Sequence, residues 1–502
     1  MELGLFIDGL LNILNIKTIA LVFGGVIGGI ITGALPGLTA TMGVALLVPF
    51  TFGMEVEQGV VMLLGIFCGA MYGGSISAIL IRTPGTPSAA ATLLDGYPLA
   101  QKGEAGRALS MSIFSSFCGG MISFLIMVVL SPQISKFALN FSAPEYFALA
   151  VFGLSIIVSV SGNSVLKGII AGIFGLLICT IGLDPVSGFP RFTFGQLSLF
   201  EGPPFIPTLI GLFAFAEVFR GVENIITHAK VEAKITRLLP SKDDIKKCWK
   251  TIIKSGIMGS FIGSIPGAGG DIAAFVSYSE AKRASKNPEN FGKGEIQGVA
   301  AAEAGNNGCT GGAMIPLLSL GVPGDAVTAI VLGAFIMHGI QPGPLLYRDH
   351  IEVVYSIFAG LMVANIVMLI CGLLGIRIFA KIISINRNIL LPVIFVLAIV
   401  GSYSMRNSLF DVWFALIFGI IGYFMQRYDF PASPILLALI LGPMAESNLR
   451  RALIVSGGDF SVFVTRPISA ILLTLAVLSL ITSMIRQNKL KKKLEAGVLE
   501  EN

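Results

Sequence analysis

Charged side chains are scarce in this sequence. Lys, Arg, Asp and Glu together make up 13% of its 502 residues, against about 25% in an ordinary soluble domain. Apolar residues make up 54%, and the mean hydropathy is +0.85. A soluble protein of this length would form several domains, each with a charged surface, and the sequence has too little charge to cover them. The composition therefore predicts an integral membrane protein.

Histidine and cysteine are also few, with three and six residues. The cysteines are isolated and no C-x-x-C spacing occurs, so neither a disulfide framework nor a zinc site is indicated. No Gly-x-Ser-x-Gly motif and no close acidic pair with a histidine is present, so we expect neither an enzyme nor a resident cofactor. The net charge of +5 comes from basic residues in a few loops, so no nucleic-acid partner is expected. Residues 1–15 lack a basic segment, which argues against a cleavable signal peptide.

Apolar segments long enough to cross a bilayer, about 20 residues each, recur along the whole chain. We predict an all-α polytopic membrane protein with about ten to twelve transmembrane helices in two repeated halves, with broken or re-entrant helices at Pro-Gly motifs. The predicted parts are an interfacial N-terminal helix (1–16), a first transmembrane repeat (17–222), a basic connector (223–251), a second repeat with additional helices (252–485) and a basic then acidic tail (486–502). Because the connector and the tail are rich in Lys, the positive-inside rule places both, with the C-terminus, in the cytoplasm.

The internal repeat is visible in the glycine and proline positions. The set Gly29, Gly33, Pro36 and Gly37 recurs 230 positions later as Gly259, Gly263, Pro266 and Gly267. Each half then carries a second interruption, which reads Thr83-Pro84-Gly85-Thr86-Pro87 in the first half and Val322-Pro323-Gly324-Asp325 in the second. Two pairs in the same order indicate a duplicated unit.

Pro-Gly inside an apolar segment stops a membrane helix, because Pro lacks the backbone N–H and clashes with the preceding turn. Broken backbone persists in a membrane only where it is buried in protein or lines a wet cavity, and paired interruptions in two halves point to a transporter binding site. Bare N–H groups and small hydroxyls at a helix N-terminus bind anions. The candidate substrate-binding residues are therefore Pro36, Gly37, Thr39, Thr83, Pro84, Gly85, Thr86, Pro266, Gly267, Gly269, Gly270, Pro323 and Gly324. The alternative is that Pro-Gly merely kinks the helices for packing.

A second set of polar residues suits a cation. Asn306 and Asn307 lie in a stretch of small residues with Glu303 one turn earlier, and amide oxygens are suitable ligands for Na⁺. Alternatively, the two amides hydrogen-bond a neighbouring broken helix. Asp271 and Asp325 are further cation-binding candidates, since ionisable groups within membrane segments are functional candidates by default. Asp271 could instead cap the helix that follows it.

Arg82 directly precedes the second interruption. Its guanidinium could bind a substrate carboxylate through two hydrogen bonds, so Arg82 is included among the substrate-binding candidates. Alternatively, it extends to the membrane interface, as long cationic side chains do at helix ends.

Several motifs in order carry a family resemblance: Gly33-Ala34-Leu35-Pro36-Gly37-Leu38, Thr83-Pro84-Gly85-Thr86-Pro87, Leu94-Asp95-Gly96-Tyr97-Pro98, Glu303-Ala304-Gly305-Asn306-Asn307 and Gly321-Val322-Pro323-Gly324. With them the chain resembles the large membrane subunit of the tripartite tricarboxylate transporters, over nearly its whole length. One departure concerns Arg82, because in the family an Asn commonly precedes the Thr-Pro-Gly motif.

The resemblance implies a secondary carrier in the bacterial inner membrane that imports a di- or tricarboxylate such as citrate. The implied partners are a periplasmic solute-binding protein, which delivers the substrate, and a small four-helix membrane subunit. The implied driving force is a cation gradient, Na⁺ or alternatively H⁺, and the implied movement is elevator-like. A homo-oligomer is left open, as is an anion or ion channel built on broken helices.

Overall fold

The computed structural model describes residues 3–160, 164–185, 187–223, 239–383 and 387–495. These residues are almost entirely helical, and the strands among them are the short antiparallel pair β1 (Gly182–Leu183) and β2 (Pro190–Arg191). The predicted all-α polytopic fold is confirmed.

The helices fall into two series. The first contains α1 (Leu3–Ile13), α2 (Ile16–Ala34), α3 (Ala40–Leu47), α4 (Val56–Ile81), α5 (Ala89–Gln101), α6 (Ala105–Ala138), α7 (Ala143–Val160), α8 (Val165–Cys179), α9 (Phe205–Leu209), a π-helical turn (Ile210–Phe215) and α10 (Ala216–Glu223). The second contains α11 (Lys242–Gly263), α12 (Gly269–Ala284), α13 (Ile296–Leu320), α14 (Ala326–Met337), α15 (Pro344–Asp349), α16 (Ile351–Ile382), α17 (Arg387–Ser404), α18 (Leu409–Arg427), α19 (Ser433–Val455), α20 (Val462–Thr465) and α21 (Pro467–Glu495). Single 3₁₀ turns lie at Val48–Thr51, Leu197–Leu199 and Pro288–Asn290.

Seven helical segments of the described residues are long and apolar enough to cross a membrane: Ile16–Ala34, Val56–Ile81, Ala105–Ala138, Phe205–Glu223, Ile351–Ile382, Leu409–Arg427 and Pro467–Ile485. Shorter apolar helices, such as Val165–Cys179 and Ala326–Met337, accompany them. The expected ten to twelve crossings therefore need several of the shorter helices.

Two structural features bear on the predicted division of the chain. α11 begins at Lys242, so the end of the predicted basic connector is helical, while residues 224–238 of that connector lie outside the described residues. α1 packs against α16, since a Cβ on Gly9 would lie 2.7 Å from the carbonyl carbon of Tyr355. The domain boundaries and the interfacial role of residues 1–16 stay predictions.

The duplicated unit is visible in how its helices pack. A Cβ on Gly29 of α2 would lie 2.3 Å from the carbonyl oxygen of Ile66 in α4. A Cβ on Gly259 of α11 would lie 2.2 Å from the carbonyl oxygen of Gly305 in α13. The two glycines are 230 positions apart and their two partners 239. The pair α11–α13 therefore repeats the close packing of α2–α4, which only a residue without a side chain permits.

The helices that flank the Pro-Gly breaks form one group. Within it α2 packs on α4, α6 and α11 pack on α13, and α5 and α12 lie against the same pairs. A second group contains α7 packed on α19 and α21, and α18 packed on the π-helical turn. α3 and α14 contact both groups. The breaks therefore lie in a unit that is distinct from the outer helices.

Candidate functional site

All four predicted interruptions break the helices. Break 1 (residues 35–39) separates α2 from α3, and break 2 (82–88) separates α4 from α5. Break 3 (264–268) separates α11 from α12, and break 4 (321–325) separates α13 from α14. In each case the helix after the break presents its N-terminus, where backbone N–H groups have no partner within the helix.

Breaks 2 and 4 share an unusual backbone conformation. α4 ends at Arg82 with φ +58°, and α13 ends at Gly321 with φ +73°. The two positions are 239 residues apart and correspond in the repeat. The left-handed region of backbone conformation costs a residue with a side chain about 1–2 kcal/mol. Arg82 therefore has a strained conformation that glycine would adopt without this cost.

Each half joins its own two breaks by close backbone contact. In the first half, a Cβ on Gly85 would lie 1.8 Å from the carbonyl oxygen of Gly33. In the second, a Cβ on Gly324 would lie 2.5 Å from the carbonyl oxygen of Gly263, and the N–H of Gly267 donates to the carbonyl of Gly324 at 2.7 Å. In each half, the Pro-Gly motif of the later break therefore packs against the end of the helix that leads into the earlier break.

Met71 in α4 connects the two pairs. Its sulfur lies 3.9 Å from the hydroxyl of Ser88, at the end of break 2. Its methyl carbon lies 3.3 Å from the position of a Cβ on Gly270, just after break 3. In addition, α12 packs against α5 and α14 packs against α3. The structure therefore brings all four breaks into one region of the protein.

The candidate hydroxyls have different surroundings. Thr39 is the N-cap of α3 and accepts a hydrogen bond from the N–H of Met42 at 3.2 Å. Thr86 is buried, with its hydroxyl 3.1 Å from that of Ser88, whereas Thr83 is exposed. Of the other candidates, Pro36, Pro84, Gly267 and Gly269 are partly exposed, Gly37 is exposed, and Gly85, Pro266, Gly270, Pro323 and Gly324 are buried.

Asn306 and Asn307 are fully buried in α13. The Asn306 amide donates to the carbonyl of Met71 at 2.9 Å, so it does hydrogen-bond a neighbouring helix. Its own carbonyl oxygen has no hydrogen-bond partner in the described part of the chain, nor has either polar atom of Asn307. A buried polar atom without a partner costs about 1–3 kcal/mol. The packing alternative therefore accounts for one of the four amide atoms.

The two candidate aspartates lie at helix N-termini. Asp325 is the N-cap of α14, where its carboxylate accepts a hydrogen bond from the Thr328 N–H at 2.8 Å. In return, the Thr328 hydroxyl accepts a hydrogen bond from the Asp325 backbone N–H at 2.9 Å. Asp271 is in the first turn of α12, whose N-cap is Ala268, so Asp271 is not the cap itself. Asp325 is buried, whereas Asp271 is exposed.

Arg82 is exposed and lies over the ring of Tyr97, with 5.9 Å between the guanidinium carbon and the ring centroid. Both alternatives for Arg82 are compatible with this placement. The side chain is free to meet a solvated carboxylate at break 2, and it also lies at a helix end beside an aromatic ring, as interfacial residues do.

Glu303 was absent from the sequence-based candidates. It is fully buried in α13 and accepts hydrogen bonds from the hydroxyls of Thr92 in α5 and Ser116 in α6, the latter at 2.8 Å. The spacing of Glu303, Asn306 and Asn307 carried the signal, because positions i, i+3 and i+4 share one face of a helix.

The motif Leu94-Asp95-Gly96-Tyr97-Pro98 has a structural role. One Asp95 oxygen accepts from the backbone N–H groups of Gly292, Gly294 and Glu295 at 2.9, 2.8 and 2.7 Å, and the other accepts from the Tyr278 hydroxyl at 2.9 Å. This buried carboxylate fastens the loop that leads into α13 onto α5 and α12.

Comparison with known proteins adds the following. The family model described as "Tripartite tricarboxylate transporter TctA family" matches residues 19–437. An "Uncharacterized 52.8 kDa protein in TAR-I ttuC' 3'region" of Agrobacterium vitis is 40% identical over 470 residues, which cover 94% of each chain. An "Uncharacterized protein in TAR-II ttuC' 3'region" of the same organism is 41% identical over 234 residues, 47% of this chain and 97% of that protein. No solved structure matches.

Proposed function

This chain belongs to the tripartite tricarboxylate transporter TctA family, and from that premise we propose that it is the permease subunit of a secondary carrier that imports a di- or tricarboxylate such as citrate. The observation that carries the proposal is that four helix breaks meet in one region: contacts within each half bring its two breaks together, and Met71 lies between breaks 2 and 3. A kink that only serves helix packing does not need a second kink beside it, whereas a binding site assembled from half-helices needs several breaks close together.

The proposed substrate site uses the N-termini of α3, α5, α12 and α14. Each helix end favours an anion by about 0.3–2 kcal/mol, so four ends together would hold a multiply charged carboxylate with few cationic side chains. The hydroxyls of Thr39, Thr83 and Thr86 add donors, and Arg82 adds a positive charge.

The proposed coupling cation is Na⁺, with H⁺ as the alternative. Its ligands would come from Asn306, Asn307, Asp271 and Asp325, of which the two amides retain unused carbonyl oxygens. Each net positive charge that enters across 100 mV contributes about 2.3 kcal/mol. A trianion therefore needs more than three Na⁺ for the membrane potential to assist its uptake.

The proposed movement is elevator-like. The helices that carry the breaks pack mainly on one another, and α7, α8, α19 and α21 pack mainly among themselves. A moving unit with the breaks and a fixed unit of outer helices would account for this division, with α3 and α14 at the boundary.

The proposed setting is the bacterial inner membrane, with the C-terminus in the cytoplasm. The family is tripartite, which implies further subunits. We assign these roles to a small four-helix membrane subunit and to a periplasmic binding protein that delivers the carboxylate.

Reconstitution distinguishes the carrier from a channel. Two sets of proteoliposomes are prepared, one with the complete system and one that lacks the binding protein. Uptake of labelled citrate and of smaller labelled carboxylates is measured in each set, with and without an inward Na⁺ gradient. The carrier predicts saturable accumulation that requires both Na⁺ and the binding protein. Unitary currents without accumulation of any acid would support the channel instead.

A further inference from the structure

The two repeats differ systematically where they correspond. At breaks 1 and 3, Thr41 of the first repeat corresponds to Asp271 of the second, and at breaks 2 and 4 Thr86 corresponds to Asp325. The buried helices α4 and α13 show the same trend, since the apolar side chains Leu64, Phe67 and Cys68 correspond to Glu303, Asn306 and Asn307. The first half therefore supplies hydroxyls at its breaks, and the second supplies carboxylate and amide oxygens.

The charge at the breaks also differs between the two halves, being more positive in the first and more negative in the second. Arg82 adds a cation to break 2 of the first half, and its counterpart Gly321 at break 4 has no side chain. In the second half, Asp271 follows break 3 and Asp325 ends break 4. The hydrogen bond from the Gly267 N–H to the Gly324 carbonyl joins these two breaks at 2.7 Å. Asp325 is buried and Asp271 is exposed, and a substrate carboxylate at the second half would add a third negative charge beside them, which like charges disfavour.

An unpartnered oxygen points to a cation at the second half. The carbonyl oxygen of Asn306, fully buried, lies 2.6 Å from where a Cβ on Gly270 would be. It therefore lies beside Gly270 in the first turn of α12, just after break 3 and one residue before Asp271. In the first repeat the position of Gly270 is occupied by Ala40, so a Cβ fits this backbone where the opposing residue is not Asn306.

We infer that the two half-sites bind opposite charges: the substrate carboxylate binds at breaks 1 and 2, and the coupling cation binds at breaks 3 and 4 between the Asn306 carbonyl oxygen and the carboxylates of Asp271 and Asp325. This inference rests on the proposed function and narrows it, because it assigns the substrate to the N-termini of α3 and α5 instead of to all four helix ends. Oxygen ligands of this kind suit a hard cation such as Na⁺. The bound cation neutralises one of the two negative charges of the aspartates and so lowers the repulsion that a nearby substrate carboxylate would meet.

Thermal unfolding of the purified full chain tests the cation half-site without transport. NaCl is compared with KCl at equal concentration, and the shift in Tm with Na⁺ reports binding. The wild-type protein is expected to show a Na⁺-specific shift. Asp325→Asn removes the charge but keeps an acceptor for the Thr328 N–H, and Gly270→Ala displaces the Asn306 oxygen. Both variants should need at least ten times more Na⁺ for half of the wild-type shift.

Thr86→Ala, at the position that corresponds to Asp325, is the matched variant in the first half. Its Na⁺ half-saturation in the same assay should stay within twofold of wild type. In proteoliposomes with the complete system it should raise the KM for citrate at saturating Na⁺ by at least fivefold. Asp325→Asn should instead raise the Na⁺ requirement for uptake and leave that KM within twofold.

The outcomes separate the two proposals. If the wild-type complete system takes up no carboxylate under a Na⁺ gradient, the proposed function fails. If it takes up citrate but Thr86→Ala and Asp325→Asn change the Na⁺ and citrate requirements alike, the division between the half-sites is overturned and the carrier remains. A wild-type Na⁺ shift that Asp325→Asn and Gly270→Ala both leave unchanged also overturns the division.

Discussion

Gly85 and Gly33 lie in such close contact that no side chain fits between them. A Cβ on Gly85, in break 2, would be 1.8 Å from the carbonyl oxygen of Gly33, which lies in the last turn of α2 just before break 1. The corresponding contact of Gly324 with Gly263 is also too close for a Cβ, at 2.5 Å. These contacts set the distance between the helix ends at which the substrate is proposed to bind.

Gly85→Ala is expected to abolish uptake without preventing insertion into the membrane. The added methyl must push break 2 away from break 1, because its neighbour is backbone and cannot rotate aside. Gly324→Ala should also fail, for the same reason. Uptake and the amount of protein in the membrane are measured together for each variant.

Gly24→Ala is the control for this pair, since a Cβ there would meet no atom within 4 Å. It should transport as wild type does. Normal uptake by Gly85→Ala and Gly324→Ala would contradict the site assignment.

Arg82→Gly is expected to stabilise the protein while weakening substrate binding. Glycine relieves the left-handed conformation at φ +58°, a gain of about 1 kcal/mol, and Tm should rise. Loss of the guanidinium should raise the KM for citrate about tenfold, or about 1.4 kcal/mol. Arg82→Lys keeps the charge and should raise KM less. A rise in Tm with unchanged KM would leave Arg82 only the interfacial role.

Asp95→Ala is expected to destabilise the fold. It leaves three backbone N–H groups and the Tyr278 hydroxyl without their acceptor, a loss of about 3 kcal/mol or more. Asp95→Asn keeps one oxygen for the three N–H groups and should lose less. The Tm of each variant in detergent is the measurement, and equal values for wild type and Asp95→Ala would show that the loop is held by other contacts.

Glu303→Ala is expected to lower Tm strongly, because it leaves the hydroxyls of Thr92 and Ser116 unpaired and opens a cavity in the core, together about 3–5 kcal/mol. Glu303→Gln fills the same space and keeps an oxygen acceptor. Its Tm should lie near the wild-type value. If both variants were equally destabilised, the carboxylate charge itself, and not its hydrogen bonds, would be the stabilising feature.

The sequence predicted the breaks well because their cause is local. Pro and Gly end a membrane helix wherever they fall, and the spacing of Gly29 and Gly33 recurs in Gly259 and Gly263. The all-α fold follows equally from hydropathy. Helix ends were harder to predict, as α11 shows: its polar first turns from Lys242 look like part of a loop in a hydropathy-based interpretation.

Long-range contacts were not predictable from one sequence. Nothing near Met71 indicates that it connects Ser88 with Gly270, and Thr92 and Ser116 give no sign of their contact with Glu303. These contacts depend on how separate helices pack. The difference between the repeats is present in the amino-acid sequence, but it could be interpreted only once the structure showed that Thr86 and Asp325 occupy corresponding positions.

Cation-driven uptake is tested most directly by measuring radiolabelled Na⁺ and labelled citrate entering the same proteoliposomes, with the complete system present and the membrane potential clamped. We expect the two fluxes to keep a fixed ratio of more than three Na⁺ per trivalent citrate, and an inside-negative potential to accelerate both. Citrate entry that continues at the same rate without Na⁺ and without a proton gradient would contradict cation-driven transport.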